Sequence, residues 1–141
     1  MKKILIFLLF LIPATLSPYG YDYVIIEMHE GYNPYERIWE AWAAVCMIES
    51  SNNANAHNIS EDSRGIAQIR AIKVADYNRL TGSNIQHDDC FDIEISRMIF
   101  FHHCKQYDDI WEAVRRWNGD GKLSFEYVDK IKKTIDKKLA L

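Results

Sequence analysis

The chain has 141 residues, about one domain's worth, and 48% of them are apolar or aromatic, enough for a packed core. That balance excludes a disordered chain. A formal net charge of -3 shows no basic footprint and excludes a nucleic-acid binder held by counterion release.

Lys2 and Lys3 precede an unbroken apolar run from Ile4 to Ile12, followed by Pro13, Ala14 and Thr15. This is the pattern of a secretory signal over residues 1–17, and the run is shorter than the roughly 18 to 20 residues of a spanning helix. A retained anchor is the competing reading. Ala14 and Ser17 are small enough for cleavage, although Pro18 makes the second site awkward. Residues 18–33, with Tyr19, Gly20, Tyr21, Tyr23, Gly31 and Tyr32, form an aromatic linker or wrap before a domain over 34–141.

Asn33 and Pro34 supply an N-cap and first-turn proline for a helix carrying Trp39, Trp42, Val45 and Glu49. With Ile38 at zero and ~100° per residue, Trp39, Trp42, Val45 and Cys46 share one stripe, and Glu49 lands near its centre at roughly 20°. Trp39 and Trp42 are assigned to the core, with one exposed tryptophan stacking on a ligand's ring face as the alternative. A carboxyl on an apolar stripe has a raised pKa and stays protonated near neutral pH, as a general acid must. The competing reading ends the helix at residue 48 and turns Glu49 to solvent or to a cation.

A polar loop follows from Ser50 to Arg64, and loops of that length inside a small domain are usually functional. After Gly65, Ile66, Ala67, Gln68 and Ile69 lead into a second helix through Ile72, Val74, Tyr77 and Leu80, closed by Gly82. A turn over Ser83 to Asp89 precedes a third helix with Phe91, Ile95, Met98 and Ile99, ending near Cys104. Asp109 caps a short fourth helix with Ile110, Val114 and Trp117, stopped by Asn118, Gly119, Asp120 and Gly121. Ser124 caps a last helix with Phe125, Val128, Ile131, Ile135 and Leu139. Strand signal is slight, and the fold class read from this pattern is all-α, a single domain.

Three cysteines, Cys46, Cys90 and Cys104, leave an odd thiol. If Cys90 and Cys104 bracket one helix they lie ~21 Å apart and do not pair. Cys46 pairing with either stays open beside buried thiols. His102 and His103 point about 100° apart on a helix, and no ligand spacing supports a metal. They are read as surface or satisfied histidines. Arg115 and Arg116 are read as a solvated helix face, with anionic peptide as the sharper alternative, and Lys130, Lys132, Lys133, Lys137 and Lys138 as cations near a helix C-terminus.

Glu49-Ser50 at a helix end, the polar loop, Gly65-Ile66-Ala67-Gln68-Ile69 and Trp117-Asn118-Gly119 together resemble the soluble lytic transglycosylase family, over roughly residues 35 to 135. The resemblance implies a lysozyme-like helical fold related to goose-type lysozymes. It implies Glu49 as the catalytic acid, Ser50 as the hydroxyl shaping the site, Gln68 on the wall of a sugar cleft, and Gly65 allowing close backbone approach. Asn118 matches the motif asparagine, Trp117 stands where the family usually has tyrosine, and Asn58 and Ser63 join the site-shaping residues from the loop. Ala67 replaces the common methionine.

The implied reaction is cleavage of the bond between N-acetylmuramic acid and N-acetylglucosamine in peptidoglycan, with Glu49 acting alone and no metal or cofactor. Asp62 and Glu61 are the loop candidates for a base that would activate water in a hydrolytic muramidase. The missing tyrosine leaves a non-catalytic peptidoglycan-binding module as the rival class. The expected protein is an exported monomer acting on glycan strands. Its setting, whether wall remodelling, a secretion or conjugation machine or a phage assembly, is open at this level.

Overall fold

The computed structural model describes residues 37–139, which form a mainly helical unit with one small sheet. The signal, the linker and the Asn33-Pro34 helix start lie outside the described residues. Five α-helices, α1 (Ile38–Ser50), α2 (Ala71–Thr81), α3 (Ile93–Cys104), α4 (Ile110–Asn118) and α5 (Leu123–Leu139), enclose the core. Three two-residue strands, β1 (His57–Asn58), β2 (Ser63–Arg64) and β3 (Ile69–Arg70), pair antiparallel in sequence order. None of the described helices is long and apolar enough to cross a membrane.

Helix α1 runs through Glu49 to Ser50, so the carboxyl is a helical residue and not a loop residue. Ser51 and Asn52 then take left-handed conformations, φ 54° and 64°, and their N–H groups cap the Met47 and Cys46 carbonyls. The buried face of α1, with Ala41, Trp42, Val45 and Cys46, packs against α3 and α5, while α4 bridges the same two helices. Phe100 lies at the centre, fully buried, with Trp42 and Trp117 rings 5.5 and 5.0 Å away. Burial of each such large side chain contributes roughly 1.5–3 kcal/mol.

Several expectations need correction. Trp39 is 56% exposed, resting edge-on against Phe101 with the Arg97 guanidinium over its ring, because the core stripe is centred on Trp42 and Val45. The all-α reading missed the sheet, whose strands are too short for any alternation to register. Ile69 belongs to β3 and not to a lead-in to α2, which closes at Gly82 as expected, φ 72° with its N–H on the Asn78 carbonyl.

Phe91 lies in a 3-10 turn, His87–Phe91, ahead of α3, and Asp92 caps α3 through the N–H groups of Glu94 and Ile95. Ser124 does not cap α5. It is buried inside the first turn and its hydroxyl donates back to the Gly121 carbonyl. Ile72, Leu80, Met98 and Phe125 are exposed, each lying on the outer side of its helix.

All three cysteines are buried. Cys90, in the 3-10 turn, and Cys104, at the far end of α3, are free thiols, both pushed up to about 12 by burial, so they behave as inert packing.

Candidate functional site

The sheet register builds one wall of a cavity. Asn58 pairs with Ser63, and Ser63 with Arg70, so these three form one cross-strand row. The row faces a cavity of about 240 Å³ that is also lined by Glu49, Glu61, Gln68, Trp117 and Asn118. Of the residues expected at a site, Glu49, Asn58, Ser63, Gln68, Trp117 and Asn118 come together from three separated stretches of chain.

Glu49 is half-buried. Burial raises its carboxyl above the ordinary 4.5; the Tyr127 hydrogen bond and the charges of Lys130 and Arg70 oppose the rise, and Glu61 adds to it. The net direction is upward. Among the described residues no Lys or Arg forms an ion pair with it, and α1 runs on through it to Ser50, so the reading that ends the helix at residue 48 does not hold, although the half-buried side chain keeps part of its surface in solvent.

Tyr127, like Arg70 on the cavity wall, is a residue that sequence reasoning missed. Its hydroxyl, on α5, donates to Glu49 Oε1 at 2.6 Å. Burial and the adjoining carboxylate hold the phenol far above its usual range, so it remains a donor. Helical spacing carried only a weak signal: Tyr127 lies about 70° from the centre of the stripe of Ser124, Val128, Ile131 and Ile135, against about 90° for Phe125. Trp117 therefore does not stand in for a missing phenol. Its indole is buried between Phe100 and His103, ring centroids 5.0 and 5.3 Å away, with the Lys73 ammonium over it at 5.2 Å.

Ser50 and Gly65 act behind the cavity. The Ser50 hydroxyl contacts the Cys46 carbonyl at 3.1 Å and the Ile66 carbonyl at 2.8 Å, tying the end of α1 to the loop that carries Gln68. Gly65 does allow a close backbone approach, but to the protein itself: with φ +77°, a Cβ there would meet the Cys90 carbonyl oxygen at 1.8 Å.

Gln68, itself at φ 48°, spans the loop. Its Nε2 donates to the Gly65 and Ala56 carbonyls at 2.9 and 3.2 Å, and its Oε1 accepts from the Ser63 hydroxyl at 2.8 Å. Asn58 Oδ1 accepts from Ser60, while Asn118 is exposed at the end of α4.

The two loop carboxylates separate cleanly. Asp62 is held below its usual range by hydrogen bonds from His57 and Arg64 and does not line the cavity. Glu61 does line it. Arg115 and Arg116 both pair with Glu112 on their own helix; Arg116 is open to solvent, as the solvated-face reading expects, whereas Arg115 is largely covered with its guanidinium over the Phe125 ring.

His103 donates to the Ala113 carbonyl at 2.9 Å, while His102 Nε2 is buried with no hydrogen-bond partner among the described residues. No cluster of His, Cys, Asp or Glu among the described residues has the makings of a metal site. Comparison of the chain with protein-family models, with curated proteins and with solved structures found no match.

Proposed function

We propose that the chain is an exported peptidoglycan lytic transglycosylase of lysozyme-like fold, with Glu49 as its acid and base. The observation that carries this reading is a half-buried carboxyl of raised pKa, fixed by a phenol at 2.6 Å, on a cavity walled by amide, hydroxyl and indole side chains. At about 240 Å³ the cavity is below the roughly 300–1,000 Å³ of sites that enclose a whole small ligand, and has room for a portion of a strand.

Tyr127 occupies Oε1, leaving the other carboxyl oxygen to carry the transferable proton. Protonated Glu49 gives that proton to the glycosidic oxygen as its bond to the muramoyl C1 breaks. The resulting carboxylate then takes the proton of the muramoyl C6 hydroxyl as that oxygen bonds to C1. The product is a 1,6-anhydromuramoyl end, formed without water, and Glu49 is again protonated. A single carboxylate suffices because the substrate brings its own nucleophile, unlike the paired carboxylates of most glycoside hydrolases.

Glu61 on the cavity wall favours one second reading, a muramidase in which it activates water. The non-catalytic module was motivated by a missing phenol, and Tyr127 provides one. Mass spectrometry of digested cell wall separates the readings, since the anhydro product is lighter by one water. Glu49→Gln lowers product release by about 10²- to 10⁴-fold, the usual contribution of general acid–base catalysis. Unchanged release by Glu49→Gln, or glycan binding with no soluble product from the parent, sinks the enzyme reading.

A further inference from the structure

Among the described arginines, Arg37, Arg64, Arg79, Arg97, Arg115 and Arg116 each form an ion pair with an aspartate or glutamate of the same chain. Arg70 is the exception, and it is the arginine that lines the cavity. Its place follows from the sheet: Ile69 turns into the core, so Arg70, one residue on, turns out onto the row with Ser63 and Asn58.

Glu49 does not account for that charge. It feels Arg70 only as the last and opposing influence on a carboxyl whose net shift is upward, and no ion pair joins the two. Nor is the charge relieved on its other side. Lys73, three residues on, is held below its usual range by burial and then by Arg70, and its ammonium is engaged with the Arg116 carbonyl and the Trp117 ring. A guanidinium left uncommitted on a cavity wall presents a planar fork of donors suited to a carboxylate.

On the functional reading above, the carboxylate available beside the scissile bond is the lactyl group on C3 of the muramoyl sugar. It is ionised when the stem peptide has been removed and is a neutral amide when the peptide is attached. We infer that Arg70 is a specificity residue that binds the free lactyl carboxylate, so that the cavity selects glycan strands stripped of their peptides.

Binding by the full chain carrying Glu49→Gln, which slows turnover, tests this with three probes: peptide-free glycan strands, peptide-bearing strands, and neutral N-acetylglucosamine oligomers of equal length. Peptide-free strands bind on the order of tenfold tighter than either other probe, as one charge-assisted contact at an exposed site supplies. Adding Arg70→Gln brings the three affinities to within about twofold, with an unchanged melting temperature reporting an intact fold. Arg70→Lys keeps the charge but not the fork and retains part of the selectivity.

Equal affinity for peptide-free and neutral strands, or selectivity that survives Arg70→Gln, overturns the inference. Tightest binding of peptide-bearing strands also overturns it, by placing the recognised carboxylate on the stem peptide. Arg70-dependent selectivity in a protein whose parent form cuts no strand overturns the lytic reading and leaves the carboxylate assignment standing.

Discussion

The pairing of Glu49 with Tyr127 joins residues 78 positions apart in the chain. The stripe on α1 made Glu49 legible because a charge interrupts a helical apolar pattern, whereas a tyrosine on an apolar stripe interrupts nothing and passes as core. Removing the hydroxyl with Tyr127→Phe takes away a donor to the ionised carboxyl, so the Glu49 pKa rises further. On the proposed function, the alkaline limb of kcat/KM for wall digestion, where the acid loses its proton, then moves to higher pH, with activity down about tenfold from lost positioning. A limb that stays in place argues that the phenol does not act through Glu49. Gly65 makes a second residue-scale case. Gly65→Ala sets a Cβ against the Cys90 carbonyl at φ +77°, and loses roughly 3 kcal/mol or more in urea unfolding.

Helices were legible in proportion to their punctuation. Asp109 accepts hydrogen bonds from the Trp111 and Glu112 N–H groups and Gly82 closes α2, as their positions before and after apolar spacing imply. Asp109→Ala removes the α4 cap and lowers unfolding stability by about 1 kcal/mol, measured by chemical denaturation. Because α4 holds Trp117 and Asn118 on the cavity, a loss of activity larger than the loss of fold would show the cap also sets the site. The sheet was not legible: two-residue strands show no period, and its register rests on Gln68 and Gly65 holding the loop from behind. Asn58 and Ser63 were nevertheless placed at the site, and Arg70, on the same cross-strand row, was not.

At the scale of the whole molecule, the helices were readable from spacing but their packing only in part, since Trp39 and Phe125 turn outward and Phe100 takes the centre, and which face each loop presents depends on contacts far apart in sequence. His103 ties two of those helices, α3 and α4, through the Ala113 carbonyl, and burial with the nearby Lys73 charge holds it down to about 4. In the unfolded chain it titrates near 6.5, so the unfolded state binds more protons between these values. Stability therefore falls as pH falls from about 6.5 towards 4. Melting temperature followed over that range shows the slope, and His103→Gln, which keeps an N–H donor and does not titrate, flattens it; an unchanged slope places the acid sensitivity elsewhere.

The Gln68 clamp has a consequence for the tempo of recognition. With both ends of its amide already bonded inside the protein, the cavity wall is set when the chain folds, and on the proposed function an arriving sugar strand has no loop to organise. The conformational entropy of the 50–64 loop is thus lost before encounter, and association proceeds in one step whose rate rises in proportion to strand concentration, without a slow closing phase.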